Sequence, residues 1–123
     1  MKIAYVSTFP PRQCGIATFS DNLVNSIHSN LLKSNSQNSA SVIAIDNDET
    51  PLKYPPVVKF IIRQNIQKDY LLSANYINFS GFDLCIIEHE FGIFGAESGL
   101  YILSLISNLK IPLIVTLHTV NDN

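Results

Sequence analysis

Five short apolar runs, each bounded by polar or turn-forming residues, limit what this chain can fold into more than any other feature of its sequence. Continuous apolar runs of this length are typical of strands that a parallel sheet buries on both faces. Three longer segments with helical spacing of their apolar residues lie between the runs. The runs are residues 2–6, 42–45, 57–62, 82–87 and 111–117, and the helical segments are 16–31, about 64–79 and 96–108.

This alternation predicts an α/β fold, a doubly wound Rossmann-like parallel sheet of about five strands flanked by helices. The length of 123 residues fits one domain with a real core. Right-handed crossovers favour the strand order 3-2-1-4-5, in which the winding reverses between the first and fourth strands. Ligands bind beside such a reversal, outside the carboxyl ends of the strands. Segments 8–15, 88–95 and 118–120 follow the first, fourth and fifth strands, so we expect them to converge there.

Composition excludes several classes of function. The net charge is −2, and the basic residues are scattered without a cluster, so nucleic-acid binding is not expected. Segment 100–117 is apolar but is interrupted by Asn108, Lys110 and Pro112, which predicts a helix, a turn and a strand instead of a membrane span. No secretory signal is evident, so we expect a cytoplasmic protein, with peripheral membrane contact left open. Cys14 and Cys85 form no metal or CxxC pattern, which predicts two reduced thiols with Cys85 in the core.

Gly15 opens the first helical segment directly after a strand and a loop. Free backbone N–H groups and the helix dipole at such a position favour an anion, for example a phosphate. Neither GxGxxG nor GxxxxGK[ST] occurs in the sequence, so a dinucleotide site or a P-loop is not expected. The alternative is that Gly15 only permits a tight turn.

Glu88, His89 and Glu90 stand at the end of the fourth predicted strand, where alternation places His89 opposite the two carboxylates. Two acids near a histidine suit acid–base chemistry, whereas their spacing matches no usual metal-ligand pattern. The alternative is a solvent-exposed rim, with Gly92 and Gly95 serving only to turn the loop. His118 leaves the most apolar strand and would reach the same crevice. In the third helix, the expected buried stripe is Leu100, Leu103, Ile106 and Leu109.

Three motifs together resemble the N-terminal domain of GT-B-fold glycosyltransferases, in the retaining family 4 that includes many mannosyltransferases. The dipeptide Asp69-Tyr70 and the segment Asn78-Phe79-Ser80-Gly81 are also similar to that family. The resemblance covers nearly the whole chain. The motifs are Ile-Ala-Tyr-Val-Ser-Thr-Phe-Pro-Pro-Arg-Gln-Cys-Gly-Ile-Ala-Thr-Phe at 3–19, Glu-His-Glu-Phe-Gly-Ile-Phe-Gly at 88–95 and Val-Thr-Leu-His-Thr-Val at 115–120.

The resemblance implies a role for each motif. Gly15, with Arg12 and Cys14, would lie beside the diphosphate and sugar of a nucleotide-diphosphate sugar donor. His118 would contact the donor sugar near the reacting centre, and the loop around Glu90 would shape the acceptor side, so His118 and Glu90 are the catalytic candidates. The substrate crevice would also include His89, Phe91 and Gly92. Sugar would pass to an acceptor hydroxyl with retention of configuration, without a cofactor or metal.

One departure from the family is large. Its members have a second Rossmann-like domain that holds the nucleotide, and residues 1–123 contain only the acceptor-side domain. We therefore expect this chain to need that domain, or a partner chain, for transfer. Ala96 also replaces an expected glycine. Two alternatives remain, namely a stand-alone module that binds a glycan or a partner, and an unrelated flavodoxin-like nucleotide-binding domain. The latter is disfavoured because Asp46 and Asp48 have no matching lysine after the last strand.

Overall fold

Helices and strands follow one another along the chain as the apolar pattern predicts. The computed structural model describes residues 1–34, 37–47, 52–90, 92–96 and 99–118, apart from the side chains of Leu31 and Leu32. Within these ranges the elements are β1 (Lys2–Ser7), α1 (Gly15–Ser34), β2 (Ser39–Asp46), β3 (Val58–Arg63), α2 (Gln67–Phe79), β4 (Leu84–His89), α3 (Ile102–Ile106) and β5 (Leu113–Leu117).

The five strands form one sheet in the order β3-β2-β1-β4-β5, and every neighbouring pair is parallel. The predicted fold class and strand order are thus confirmed. β1 is central, pairing with β2 on one side and β4 on the other, so the winding reverses between β1 and β4. The carboxyl ends of β1, β4 and β5 therefore share one edge of the sheet, which we call the carboxyl edge.

The core lies in two layers because alternate side chains of each strand point to opposite faces. The larger layer packs α2 and α3 against one face and contains Val6, Ile43 and Tyr70. The smaller layer packs α1 against the other face and contains Tyr5, Val24 and Val42. Cys85 is fully buried in the larger layer, as predicted, and this burial raises the pKa of its thiol to about 12.

The third helix is much shorter than the predicted segment 96–108. Ala96 and Gly99 have φ angles of 68° and 72°, in the left-handed region that an α-helix cannot include. The shorter helix turns a different face to the core, so the predicted stripe is wrong in part. Leu100 and Leu103 are 55% and 54% exposed, whereas Ile102 and Leu105 are buried.

β5 also differs from expectation. Its continuous apolar sequence predicts burial on both faces, but Ile114 is 50% exposed, Val115 39% and Leu117 58%. The reason is its position, because β5 is an edge strand and α3 is too short to cover it. Parallel strands are normally covered on both faces. The edge of the sheet at β5 is thus an exposed apolar strand.

Asp69 and Asn78 tie α2 to its neighbours. Asp69 accepts hydrogen bonds from Nε and Nη2 of Arg63, at 2.8 and 3.0 Å, and from the Arg63 backbone N–H. The bonds from the Arg63 side chain lower the pKa of Asp69. Asn78 donates to the carbonyl of Asn108 and accepts from the N–H of Lys110. Asp69 and Asn78, which belong to the two short segments similar to family 4 enzymes, therefore have structural roles within the described residues.

Candidate functional site

A buried carboxylate joins three elements at the carboxyl edge. Glu88, near the end of β4, is fully buried, although the strand continues outward to His89. Its Oε1 accepts a hydrogen bond from the Tyr5 hydroxyl at 2.5 Å, and its Oε2 lies 2.5 Å from Nε2 of His118. Phe19 of α1 places its ring edge-on to His118, with 5.0 Å between centroids. We call Tyr5, Phe19, Glu88 and His118 the Glu88 cluster.

The sequence explains why this cluster forms. Tyr5 faces the α1 layer from β1, and Glu88 belongs to the neighbouring strand β4, which pairs with β1 in parallel. His118 directly follows β5, and its backbone N–H donates to the carbonyl of His89 at 2.9 Å, so the β4–β5 ladder extends to this residue. Neighbouring strands thus bring a phenol, a carboxylate and an imidazole to one face.

The bonding fixes the imidazole of His118. A carboxylate can only accept hydrogen bonds, so both Tyr5 and Nε2 of His118 act as donors toward Glu88. Nδ1 is then the ring nitrogen that remains for a further partner. The side chain of His118 is 17% exposed, whereas that of Glu88 is 0% exposed. The arrangement therefore presents an imidazole of fixed orientation at the carboxyl edge and keeps the carboxylate of Glu88 away from solvent.

Tyr5 is held as a neutral hydrogen-bond donor. Burial, and after it the hydrogen bond to Glu88, raise the pKa of Tyr5 above its ordinary value. The phenol therefore stays protonated and donates a hydrogen bond to Oε1 of Glu88. Buried charges are normally paired or hydrogen-bonded, and Glu88 satisfies this requirement on both oxygens.

The beginning of α1 lies on the same side of the sheet. Sγ of Cys14 accepts the N–H of Ala17 at 3.4 Å and lies 3.2 Å from Oγ1 of Thr8, so Cys14 caps the helix. A Cβ added at Gly15 would meet no atom within 4 Å, and Gly15 is not among the residues with positive φ. Nothing in the described structure therefore requires glycine at position 15, which weakens the alternative that Gly15 only permits a turn.

Arg12 is anchored beside the end of β2. Its Nη1 donates to the carbonyl of Ile45 at 2.9 Å, and its backbone N–H donates to the carbonyl of Phe9. Asp46, the next residue of β2, is buried and accepts the hydroxyl of Tyr54 at 3.1 Å. The anchor holds the guanidinium at the rim of the carboxyl edge, half-buried, where an anion would be attracted.

The loop after β4 is shaped by two glycines. A Cβ at Gly95 would lie 2.0 Å from the carbonyl oxygen of Gln64 and 2.6 Å from Cδ2 of Tyr101, so only glycine fits. The Tyr70 hydroxyl accepts the N–H of Gly95 and donates to the carbonyl of Gln64. Gly92 has a φ of 92° and its carbonyl accepts from Nε2 of Gln64. Each of these glycines therefore has a structural reason to be glycine.

His89 and Glu90, two other predicted site residues, do not belong to the Glu88 cluster. His89 lies on the opposite face, with its ring 5.4 Å from that of Phe94, which confirms that it points away from Glu88. Glu90 follows β4 and is half-buried. Phe91 lies outside the described residues. The alternative of a solvent-exposed rim is wrong for Glu88, which has no exposed surface.

Sequence reasoning assigned the carboxylate role to Glu90 and did not identify Glu88 as the partner of His118. Tyr5 and Phe19 entered the prediction only as parts of the apolar run 2–6 and of the helical segment 16–31. One signal was available, because a charged residue inside a strand buried on both faces must have a partner. Tyr5 of β1 meets this requirement, because it pairs with Ile86, and Glu88 lies two residues further along β4 on the same face.

Two searches of the described residues bear on metals and membranes. Within these ranges, no group of three or more His, Cys, Asp or Glu side chains is placed to hold a metal ion. No helix in the described part of the chain is both long and apolar enough to cross a membrane.

Comparisons with protein-family models, with curated proteins and with solved structures found no match for this chain. The family resemblance therefore rests on the three sequence motifs alone.

Proposed function

We propose that residues 1–123 form the acceptor-side domain of a retaining glycosyltransferase, which moves a sugar from a nucleotide-diphosphate sugar to an acceptor hydroxyl. The observation that carries the proposal is the Glu88 cluster, because it lies beside the reversal of winding and orients His118 there. The three motifs that resemble family 4 enzymes are far apart in sequence, and all of them follow strands whose carboxyl ends share this edge.

In this proposal His118 binds the donor sugar next to the bond that breaks. Glu88 holds the ring through Nε2 and Phe19 packs against it, so Nδ1 is directed by two contacts before any ligand arrives. Such preorganisation is the usual way in which an enzyme stabilises a transition state without reorganising during the reaction. Breaking the bond to the sugar leaves negative charge on the diphosphate.

That negative charge would be stabilised at the start of α1. The N–H groups of Ala17 and Thr18 are occupied by Cys14, the first through its sulfur and the second through its carbonyl. Among the described residues, no hydrogen bond engages the N–H of Gly15, and the space around this residue is open. The dipole of the 20-residue helix and the nearby Arg12 favour an anion here.

A second domain or chain is part of the proposal, because the other half of the crevice would hold the nucleotide. The exposed apolar strand β5 supports such a partner, since Ile114, Val115 and Leu117 leave this edge strand of the sheet exposed. The same observation favours one alternative function, a module that binds a separate catalytic chain through β5.

The test begins with the intact mass of the endogenous polypeptide that carries these residues. Two domains of ordinary size would give about three times the mass of the 123 residues. That polypeptide is then assayed with GDP- and UDP-linked hexoses and a panel of acceptors. If only the short chain exists and no partner chain co-purifies, the proposal is wrong. Transfer by the short chain alone would refute the need for a second domain.

The site assignment is tested by His118→Gln in the active polypeptide, because the glutamine amide can still donate to Glu88. We expect kcat/KM to fall about 10²-fold or more, with the melting temperature nearly unchanged. Turnover close to that of the wild type would contradict the assignment of His118.

A further inference from the structure

A second concave site lies at the opposite edge of the sheet, beneath the amino ends of β1, β2 and β3. It is a groove of about 590 Å³, within the size range of sites that bind small molecules. We call it the amino-edge groove. The residues that matter for its chemistry are Lys2, His28, Ser41, Lys59, Tyr76 and Phe82.

The lining of the amino-edge groove is positive, although the chain carries a net charge of −2. It includes the ammonium groups of Lys2 and Lys59, and no acidic side chain is among its described lining residues. Asp83 directly follows the lining residue Phe82 in sequence. Its carboxylate accepts the backbone N–H of Lys2, and it does not line the groove. An anion in the groove would therefore meet donors and positive charge without a competing carboxylate on the wall.

The fold places both lysines at the groove and fixes the ammonium of one of them, Lys2. Nζ of Lys2 donates to the carbonyl of Ser80 at 2.5 Å and lies 4.6 Å from the centre of the Phe82 ring. The pairing of β2 with β3 shifts register between Val42 and Ile43, and this irregularity leaves Lys59 outside the regular ladder. An ammonium that is already fixed loses little conformational freedom when an anion binds.

His28 adds an imidazole to the lining of the groove. Its Nδ1 is buried, and it has no hydrogen-bond partner among the described residues. Buried polar atoms are nearly always paired, and leaving one unpaired costs about 1–3 kcal/mol. A ligand oxygen that pairs with this nitrogen would remove that cost.

The lining also has apolar surface. Tyr76 and Phe82 pack with 6.1 Å between their ring centroids, and Val24, Ala40 and Val57 lie in the same wall, together with the polar Asn25, Ser39 and Ser41. Ammonium groups beside aromatic surface suit a ligand that has an anionic group and an apolar body.

We propose that the amino-edge groove binds a small organic anion, with its carboxylate or phosphate beside Lys2, His28 and Lys59 and its apolar body against Tyr76. The site is separate from the carboxyl edge, so this proposal does not depend on the proposed transfer reaction. A regulatory metabolite or a second substrate would supply the same chemistry.

The test is an amide chemical-shift titration of the 123-residue chain with four probes, namely phenyl phosphate, benzoate, inorganic phosphate and benzyl alcohol. We expect saturable shifts at Lys2, Ser41 and Lys59 with the two aromatic anions. Their affinity should exceed that of inorganic phosphate and of benzyl alcohol by about tenfold, because only they satisfy both parts of the groove. Phenyl phosphate stronger than benzoate would identify a phosphate ligand, and the reverse order a carboxylate ligand.

A matched pair of charge reversals separates the groove from general attraction. Lys59→Glu should weaken binding of phenyl phosphate about tenfold, whereas Lys33→Glu, on the exposed last turn of α1, should change it less than twofold. Equal weakening by both, or no saturable shift at millimolar probe, would overturn the proposal. Glu88→Gln should leave the affinity unchanged, since it acts at the opposite edge. If the groove binds no anion, the transferase proposal still stands. If the chain takes no part in sugar transfer, the proposal for the groove still stands.

Discussion

Replacing Glu88 by glutamine keeps the shape of the side chain and removes its charge and one of its two acceptors. In the folded protein both oxygens of Glu88 are engaged, by Tyr5 and by His118, each at 2.5 Å. The glutamine amide presents one oxygen and one NH2 group, so one of the two partners now faces a donor. The Tyr5 hydroxyl can turn and accept, so we expect the loss of one charge-assisted bond and not of two.

The size of the effect follows from this count. A hydrogen bond to a charged group contributes about 1.5–3 kcal/mol, so we expect Glu88→Gln to lower the free energy of unfolding by about 2 kcal/mol. For a domain of this size, that is a drop in melting temperature of roughly 8 °C. Glu88→Ala should cost more, about 3–5 kcal/mol, because it leaves both partners of a buried site unpaired.

The assay is urea unfolding followed by circular dichroism, together with the ring nitrogen shifts of His118. In the wild type, we expect the proton on Nε2, and in Glu88→Gln a mixture of the two tautomers. Glu90→Gln is the matched control, the same change two residues along on a half-buried side chain, and should alter stability by less than about 1 kcal/mol. Equal stability of Glu88→Gln and wild type, with an unchanged His118 tautomer, would refute the reasoning.

Three further predictions test other parts of the domain. Gly95→Ala should destabilise the chain by about 3 kcal/mol or more, measured by urea unfolding, because its Cβ would collide with the backbone oxygen of Gln64; a cost below about 1 kcal/mol would contradict the close packing. Gly15→Ala should change the free energy of unfolding by less than about 1 kcal/mol, since the surrounding space is open, yet Gly15→Val should lower transfer in the active polypeptide; unaltered turnover would remove Gly15 from the site. Asp69→Asn should weaken stability at neutral pH. Arg63 lowers the pKa of Asp69 in the folded state. The contribution of Asp69 to the free energy of unfolding is therefore fully present above the unfolded pKa of about 3.9 and is lost as the pH falls through the folded value. The stabilities of wild type and variant should thus converge in acid.

Much of the fold was predictable from local pattern. The apolar runs and the helical spacing of residues 16–31 are local features that indicate a strand or a helix without knowledge of distant contacts. The strands and α1 therefore lie within a few residues of their predicted bounds. Strand order followed from the handedness of crossovers, which is a property of all such sheets.

The third helix and β5 were less predictable, because neither is decided by period alone. The left-handed φ of Ala96 and Gly99 shortens α3, and the spacing of Leu100 and Leu103 gives no warning of it. Likewise an apolar run predicts a strand with apolar surroundings, but only the number of strands and the length of the neighbouring helix determine whether β5 is covered.

The sequence by itself determined which residues are candidates for chemistry and at which edge of the sheet they are expected to meet. It named His118 and the loop of Gly15, because a residue that follows a strand must emerge at the carboxyl edge. Only the tertiary structure decided that Glu88, and not Glu90, holds His118. Which of two carboxylates reaches an imidazole depends on the register of β4 against β1 and β5 and on the face each side chain takes. That register is fixed by packing among strands distant in sequence, so no local pattern contains it.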